Sequence, residues 1–394
     1  MSALYLALNA GSSNFKFALF QEEVGAKLGA VFRGRIEGMP ANARFTTKDG
    51  LGAPIYEKQW ADSEPLDHEA AVRYLLKWID ERIDGQQLAA CGHRVVHGGA
   101  IHTKPVVISD RLLTELEQLI PLAPLHQPQN LAIIRVVTTL RPDLPQIACF
   151  DTAFHQTQPR VAQLFALPRD ISERGVYRYG FHGLSYEYIA SILPALDPRA
   201  ATGRTVVAHL GNGASLCAMH ACKSVATTMG LSPLDGLPMG TRCGALDPAV
   251  VFYLMRELSM SAEEVEELLY DKSGLLGVSG RSSDMRALRR HAASDSNAAE
   301  AIALFTYRMI REVGALVSVL GGIDALVFTA GIGENDAALR ADVLRGLSWL
   351  GFQLDQGANE AADSLLTHGN GPRAWIIAAD EELMIAQHSR AAIA

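Results

Sequence analysis

A chain of 394 residues, 48% apolar and 20% charged, can bury sizeable cores and is longer than one core ordinarily serves, so two domains are expected. Its net charge of -8 excludes the basic face that non-specific nucleic-acid binding requires. No basic-then-apolar leader opens the chain and no long charge-free stretch reads as a membrane span, so a cytoplasmic protein without nucleic-acid or membrane partners is expected.

The elements begin with LYLAL (Leu4 to Leu8) and FKFALF (Phe15 to Phe20), two runs of strand formers on either side of NAGSSNFK. That turn is longer than a plain hairpin needs and is loaded with donors. Amides near Gly11, hydroxyls of Ser12 and Ser13 and the Lys16 ammonium suit an anionic oxygen cluster. Helical spacing of Val72, Leu75, Leu76, Ile79 and Ile83 predicts a helix over 66–83, and a second starts near Ser109. PLAPLHQPQN (Pro121 to Asn130) reads as loop from its prolines. QIACF (Gln146 to Phe150) reads as a buried strand delivering Asp151 at its end.

The second half repeats the pattern. TVVAHLGNGASLCAM (Thr205 to Met219) is again an apolar run, a Gly/Asn/Ser turn and a second apolar run. A third glycine loop, FTAGIGEN (Phe328 to Asn335), follows the strand ALVF and precedes a helix, an arrangement suited to anions. WIIAADEELMIAQHS closes the chain as strand, turn and a helix capped by Asp380. Two phosphate-style hairpins predict two similar α/β domains, with the ligand between them.

Several polar residues could carry chemistry. Arg94 in GHRVVHGG and Arg242 in GTRCG stand beside glycines, a setting for bidentate grip on carboxylate or phosphate, although either alone could serve a surface ion pair. Asp151 is a functional acid or a turn cap, and His182 in YGFHG is catalytic or structural. His126 reads as structural, and Glu381 either binds a ligand or complements a helix dipole. The five cysteines lack metal spacing and read as free thiols of a reducing compartment; Cys243 is taken as a small half-buried side chain. No Walker loop, GxGxxG or protein-kinase motif set is present.

Together the strings NAGSSNFKF, GHRVVHGG, PLAPLH, FDTAFHQT, RYGFHG, HLGNGAS, MGLSPLDGLPMGTR, KSGLLGVSG, SSDMR, FTAGIGEN and EEL run in order along residues 9–383. In that combination the chain resembles the acetate kinase family, within the acetate and sugar kinase, actin-like ATPase superfamily. The resemblance implies an α/β fold of two duplicated actin-like (ribonuclease H-like) domains, each βββαβαβα, with an interdomain active-site cleft. It places an N-terminal domain at 1–150, completed by a C-terminal helix at 381–394, and a nucleotide-binding domain at 151–380. It implies a homodimer that transfers the γ-phosphoryl group of ATP to acetate by a direct in-line step with Mg2+, or Mn2+ as substitute.

By the same resemblance, Arg94 and Arg242 grip carboxylate and phosphoryl group, and His182 supports the transition state. Asn9 and Glu381 match metal-site positions, while Lys16 and Ser12 lie in the first phosphate loop. His209, Leu210, Gly211, Asn212 and Gly213 would bind phosphate. Asp284, Met285 and Arg286 with Gly331, Ile332, Gly333, Glu334 and Asn335 would hold the nucleoside end. Val96, Leu125, Phe181 and Pro233 would wall the acyl pocket, with Val96 favouring acetate over the close alternative, propionate. The family makes Asp151 an acid-base group; a carboxylic acid of pKa about 4.3 is already ionised at neutral pH, so Asp151 is expected to orient Arg94 or the metal's water shell. Retention of both arginines argues against a non-kinase ATP-binding member. Asn14, Gln127, Leu184, Tyr186, Ala226 and Ala245 depart from the family pattern, bearing on turnover and substrate preference rather than on the reaction class.

Overall fold

The computed structural model describes residues 3–11, 14–25 and 27–394. The chain divides into two compact units, Met1–Ala153 with Asp380–Ala394, and Phe154–Ala379.

The first unit is built on strands β1 Leu4–Ala10, β2 Phe15–Glu22, β3 Leu28–Glu37, β4 Arg44–Asp49, β5 Pro54–Gln59, β6 Leu88–Val95, β7 Val106–Val107 and β8 Gln146–Phe150. Among the described residues they form one sheet in the order β5-β4-β3-β2-β1-β6-β8-β7. Strand β1 is buried along its whole length because both of its faces are covered, which is why its sequence is apolar without alternation. It pairs antiparallel with β2, setting Asn9 opposite Lys16, and parallel with β6, which in turn runs parallel to β8.

One face of this sheet packs Leu4, Leu6, Leu8, Phe15, Phe17 and Leu19 against Val72, Leu75, Leu76 and Ile79 of the helix His68–Asp80. That helix is shorter than its apolar spacing suggests, because the Asp67 carboxylate accepts from the Ala70 amide at 2.8 Å and fixes the start. The other face takes the C-terminal helix Glu381–Ile393, which lies on β1 and β6. Its approach needs a glycine beneath it. A Cβ on Gly92 would stand 2.2 Å from Ser389 Oγ and 2.4 Å from Ile385 Cγ2.

The second unit contains β9 Arg204–Leu210, β10 Ala214–His220, β11 Lys223–Thr227, β12 Ala325–Thr329 and β13 Arg373–Ile376, in the order β11-β10-β9-β12-β13. This repeats the succession β3-β2-β1-β6-β8, with the same antiparallel hairpin beside the same parallel strands. The helix Gly183–Leu196 buries Tyr186, Ile189 and Leu193 with Val207, Cys217 and Val327 in one core.

Three sequence expectations need correction. The first unit runs on past residue 150, because the Asp151 amide bonds Val95 O at 3.1 Å and the Thr152 hydroxyl accepts from the Gly98 amide at 3.1 Å. Asp151 therefore belongs to the first unit. The Pro121 to Asn130 loop turns helical at Gln127, since Pro128 falls in the first turn, where a missing amide costs nothing. The GIGEN loop is itself a short helix, Ala330–Asn335, closed by Arg340, whose Nη1 donates to Gly333 O and Glu334 O at 3.0 and 2.9 Å. Among the described residues no helix is long and apolar enough to cross a membrane.

Candidate functional site

In the first unit the parallel strands end side by side and deliver Asn9, Arg94 and Asp151 at their carboxyl ends, where open α/β sheets place ligands. Arg94 is the hub. Its Nε and Nη2 both donate to Asp151 Oδ2, at 2.9 and 2.5 Å, and its Nη1 donates to Asn9 Oδ1 at 3.4 Å. Asn9 Nδ2 then donates to Glu381 Oε2 at 2.8 Å and to Glu382 Oε1 at 2.9 Å. Asn130 ties the strand ends together, its Nδ2 donating to Ala10 O at 3.2 Å and its Oδ1 accepting from the Val96 amide at 3.1 Å.

The side chains of this chain are deeply set: Arg94 is 16% exposed and Asp151 1%. Burial opposes the Arg94 charge, but Asp151, Glu381 and Glu382 outweigh it and hold the guanidinium above the usual arginine value. Burial pushes the Asp151 carboxyl up, while Arg94 pulls against it. Glu382 is likewise raised by burial, opposed by Lys16. Asp151 Oδ1 is buried and has no hydrogen-bond partner among the described residues, since both Arg94 donors go to Oδ2. Such an oxygen suits a donor from outside the protein, for example a water in a metal's shell.

A divalent cation fits this set by its chemistry. Among the described residues no group of three or more His, Cys, Asp or Glu side chains could hold a metal ion. Magnesium, however, is ordinarily held by one or two carboxylates together with substrate phosphates and water. Asn9 Oδ1 and the Glu381 carboxylate supply that limited set.

In the second unit His182 stands at the N-cap position, just before the helix Gly183–Leu196, and adopts a left-handed conformation, φ 59°. Its ring stacks on His209 with centroids 4.2 Å apart. Two serines hold the pair crosswise. Ser215 Oγ lies 2.8 Å from His182 Nδ1, and Ser185 Oγ lies 2.8 Å from His209 Nδ1. Arg242 Nη1 donates to Pro233 O at 3.2 Å. A Cβ on Gly213 would lie 3.4 Å from His182 Nε2 and 3.6 Å from Arg242 Nη1, so both polar groups converge on the bare backbone of the 211–213 turn. That turn is held by Gly211 N donating to Gly213 O at 3.0 Å.

The remaining expected residues fall into place unevenly. His209 and Leu210 end β9, and Asn212 lies between the glycines. Asp284 caps the helix Met285–His291, accepting from the amides of Arg286 and Ala287. Gly331, Ile332, Gly333, Glu334 and Asn335 make up the short helix after β12. Lys16 is exposed on β2. Ser12 lies outside the described residues. Of the expected acyl wall, Val96 and Phe181 are each only 2% exposed, Pro233 is buried, and Leu125 is open at 39%. Glu382, Asn130, Ser185 and Ser215 had no role in the sequence reading, where Tyr186 stood only as a departure from the family pattern. Only Glu382 left a signal there, as the second acid of the Glu381-Glu382 doublet.

His155 supports the second unit from below. Its Nε2 bonds Phe181 O at 2.9 Å, so that nitrogen carries the proton, and Nδ1 accepts from Ser224 Oγ at 2.9 Å. Burial lowers this imidazole from 6.5 to about 4, against the opposing Phe181 carbonyl. The unfolded chain therefore takes up a proton near pH 6.5 that the folded protein refuses until about pH 4. Stability is full above pH 6.5 and falls as pH drops to about 4, by about 3 kcal/mol for this one group. Urea midpoints measured across that range should fall with pH, and less steeply in His155→Asn.

Comparison with known proteins shows what the whole chain is similar to. The Acetokinase family model matches residues 4–387. The acetate kinase of Rhodopseudomonas palustris is 50% identical over 393 residues, covering 98% of each chain. Among solved structures, a propionate kinase from Francisella tularensis superposes with a TM-score of 0.91 at 36% identity, covering 99% of each chain. The acetate kinase of Porphyromonas gingivalis does so at 0.87 and 33% identity, covering the whole of both chains.

Proposed function

This chain belongs to the acetokinase family, and from that premise we propose how its residues move a phosphoryl group. It is a phosphotransferase with a carboxyl group as acceptor: the γ-phosphoryl group of ATP passes reversibly to acetate, giving acetyl phosphate and ADP. Its α/β fold, two sheets of like strand order, is the actin-like ATPase fold of its solved acetate and propionate kinase neighbours.

Phosphoryl transfer asks for alignment and charge stabilisation more than for covalent chemistry. Arg94 binds the acetate carboxylate through the guanidinium edge that Asp151 leaves open. Asp151 acts by fixing that guanidinium, not by taking a proton, because acetate arrives ionised. Arg242 and His182 donate to the phosphoryl oxygens as charge spreads over them, and the 211–213 turn lets those oxygens approach main-chain amides. Lys16 and the first hairpin serve the phosphates, while Asp284 to Arg286 and Gly331 to Asn335 take the nucleoside end. Asn9 and Glu381 hold a divalent cation, which we take to be Mg2+ with Mn2+ as substitute. Bound there, it neutralises charge on the phosphate oxygens.

The observation that carries this reading is the buried Arg94–Asp151 pair, with two donors converging on one oxygen at the strand ends. The acyl preference rests on Val96, whose buried side chain crowds a longer acid. A propionate kinase is the second reading, favoured by the structural match at a TM-score of 0.91. One methylene in an apolar pocket separates the two acids by only ~1–3 kcal/mol.

The deciding experiment measures kcat/KM for acetate, propionate and butyrate with Mg-ATP, trapping the acyl phosphate with hydroxylamine. Acetate is expected to lead propionate by roughly tenfold or more. A propionate lead would transfer the chain to the second reading, and no acyl phosphate from any acid would end both.

A second copy of the chain is the expected partner. The helix Pro248–Glu257 has no buried residue, and Val250, Phe252, Tyr253 and Met255 stand 37–57% exposed beside Leu246 and Leu258. An apolar face of this kind ordinarily marks an interface. Five scattered cysteines, odd in number and without paired spacing, support a cytoplasmic setting.

A further inference from the structure

Tyr186 is buried in the helix Gly183–Leu196, one turn beyond the His182 that precedes it. Its hydroxyl lies 2.5 Å from Ser215 Oγ, and the same Oγ lies 2.8 Å from His182 Nδ1. Three polar atoms in a row leave few ways to place the protons.

Suppose Ser215 donated to Tyr186. The phenol proton would then be buried without an acceptor, because Ser215 is the hydroxyl's hydrogen-bond partner among the described residues. Suppose instead that Tyr186 and His182 Nδ1–H both donated to Ser215. The serine proton would then be stranded in the same way. One arrangement uses every proton: Tyr186 O–H donates to Ser215 Oγ, and Ser215 O–H donates to His182 Nδ1. Burial also pushes the Tyr186 phenol far above its ordinary value, so it remains a donor at neutral pH.

We propose that Tyr186 and Ser215 are positioning residues that hold His182 as the neutral Nε2–H tautomer, presenting a fixed hydrogen-bond donor beside Arg242 for the phosphoryl group. This rests on the kinase reading of His182 and adds to it the state in which the ring works. With Nδ1 occupied as an acceptor, the ring cannot turn its bare nitrogen toward an anion, which would repel it. Nε2 is the nitrogen that faces the 211–213 turn, alongside Arg242 Nη1. The stacked His209 ring, 4.2 Å away, disfavours two positive charges side by side. His182 is then a donor to developing charge rather than a proton source, as a reaction that leaves no net proton on acetyl phosphate requires. The two serines divide the labour. Ser215, paired with His209 across the hairpin, holds His182, and Ser185, beside His182 on its helix, holds His209.

The test uses the intact enzyme with 15N-labelled histidine, reading the ring-nitrogen shifts of His182 in two-bond 1H–15N spectra, with kcat and both KM values alongside. The unsubstituted enzyme should show the Nε2–H pattern. Tyr186→Phe, which keeps the ring and removes the donor, should convert it to mixed tautomers. In the same variant kcat should fall about tenfold, with KM for acetate and ATP held within about threefold. Ser215→Ala should give the same spectral change by removing the middle member. An unchanged tautomer in both variants, even with a lower melting temperature, would overturn the proposal, and so would a changed tautomer with full kcat. Absence of acyl phosphate from the unsubstituted enzyme would instead overturn the kinase reading, since the spectra are read without turnover.

Discussion

Replacing Arg94 with alanine is expected to cost at least ~10³-fold in kcat/KM for acetate, because the substitution removes at once the carboxylate grip and the anchor for Asp151. Stability should suffer as well. Asp151 is 1% exposed and takes both of its Arg94 bonds on one oxygen, so the variant leaves a buried carboxylate without its partner. Breaking such a pair from one side ordinarily costs about 3–5 kcal/mol. The double variant Arg94→Ala/Asp151→Ala separates the two effects. It removes the stranded charge, so urea unfolding should recover much of the lost stability while acyl phosphate formation stays as low as in the single variant. Lysine at position 94 should not restore turnover, since it cannot span Asp151 and a substrate carboxylate with one planar fork. Asp151→Asn should lower turnover by about a hundredfold through a loosened Arg94. Normal turnover in that variant at saturating magnesium would sink the orienting role.

The second large effect is expected at Gly274, which touches no candidate ligand. The segment around it backs the arginine turn: Ser273 N donates to Thr241 O at 2.8 Å, Leu275 N to Met239 O at 2.8 Å and Leu276 N to Gly240 O at 2.9 Å. Gly274 itself has φ +60°, and a Cβ there would meet Met239 O at 2.2 Å and Arg242 O at 2.7 Å. Those are backbone atoms and cannot swing aside, so Gly274→Ala must push the main chain that carries Arg242. A displacement of about 1 Å at a group aligned on the reacting phosphoryl costs about a hundredfold, which is the predicted loss in kcat/KM. Gly280 supplies the control. Its φ is +62° but nothing lies within 4 Å of the added Cβ, so Gly280→Ala carries the backbone strain alone. It should cost about 1 kcal/mol in stability and leave kcat intact. Equal losses at both glycines would mean that strain, not contact with the arginine turn, is responsible.

Much of this was readable in the order of residues because the decisive features are local. Leu4 to Leu8 is apolar without alternation and runs straight into a polar turn, the pattern of a strand covered on both faces, and β1 is one. Asp151 follows such a run directly, so its place at a strand end was visible, as was the duplication of the two glycine hairpins. What escaped depends on separations that pattern cannot span. Asn9 meets Glu382 across 373 residues, and Tyr186 meets Ser215 across 29. KSGLLGVSG was visible as a string, yet its task of backing Arg242 exists only through main-chain bonds between segments more than 30 residues apart in the chain. The GIGEN segment was misread as open loop because the buried cation that closes it, Arg340, looks in the sequence like any arginine of a surface helix.

The helix Glu381–Ile393 lies on a sheet whose strands all end by Phe150. During synthesis the ribosome must add Phe154–Ala379 before that helix exists, roughly 10–45 s at ~5–20 residues per second. For that interval the nascent first half carries an uncovered sheet face, which holds the sequence least safe to expose, the apolar β1 run. The second unit, contiguous in the chain, is free to fold ahead of the first. The early part is thus the part that waits, and synthesis of the helix Glu381–Ile393 is the event that lets it close.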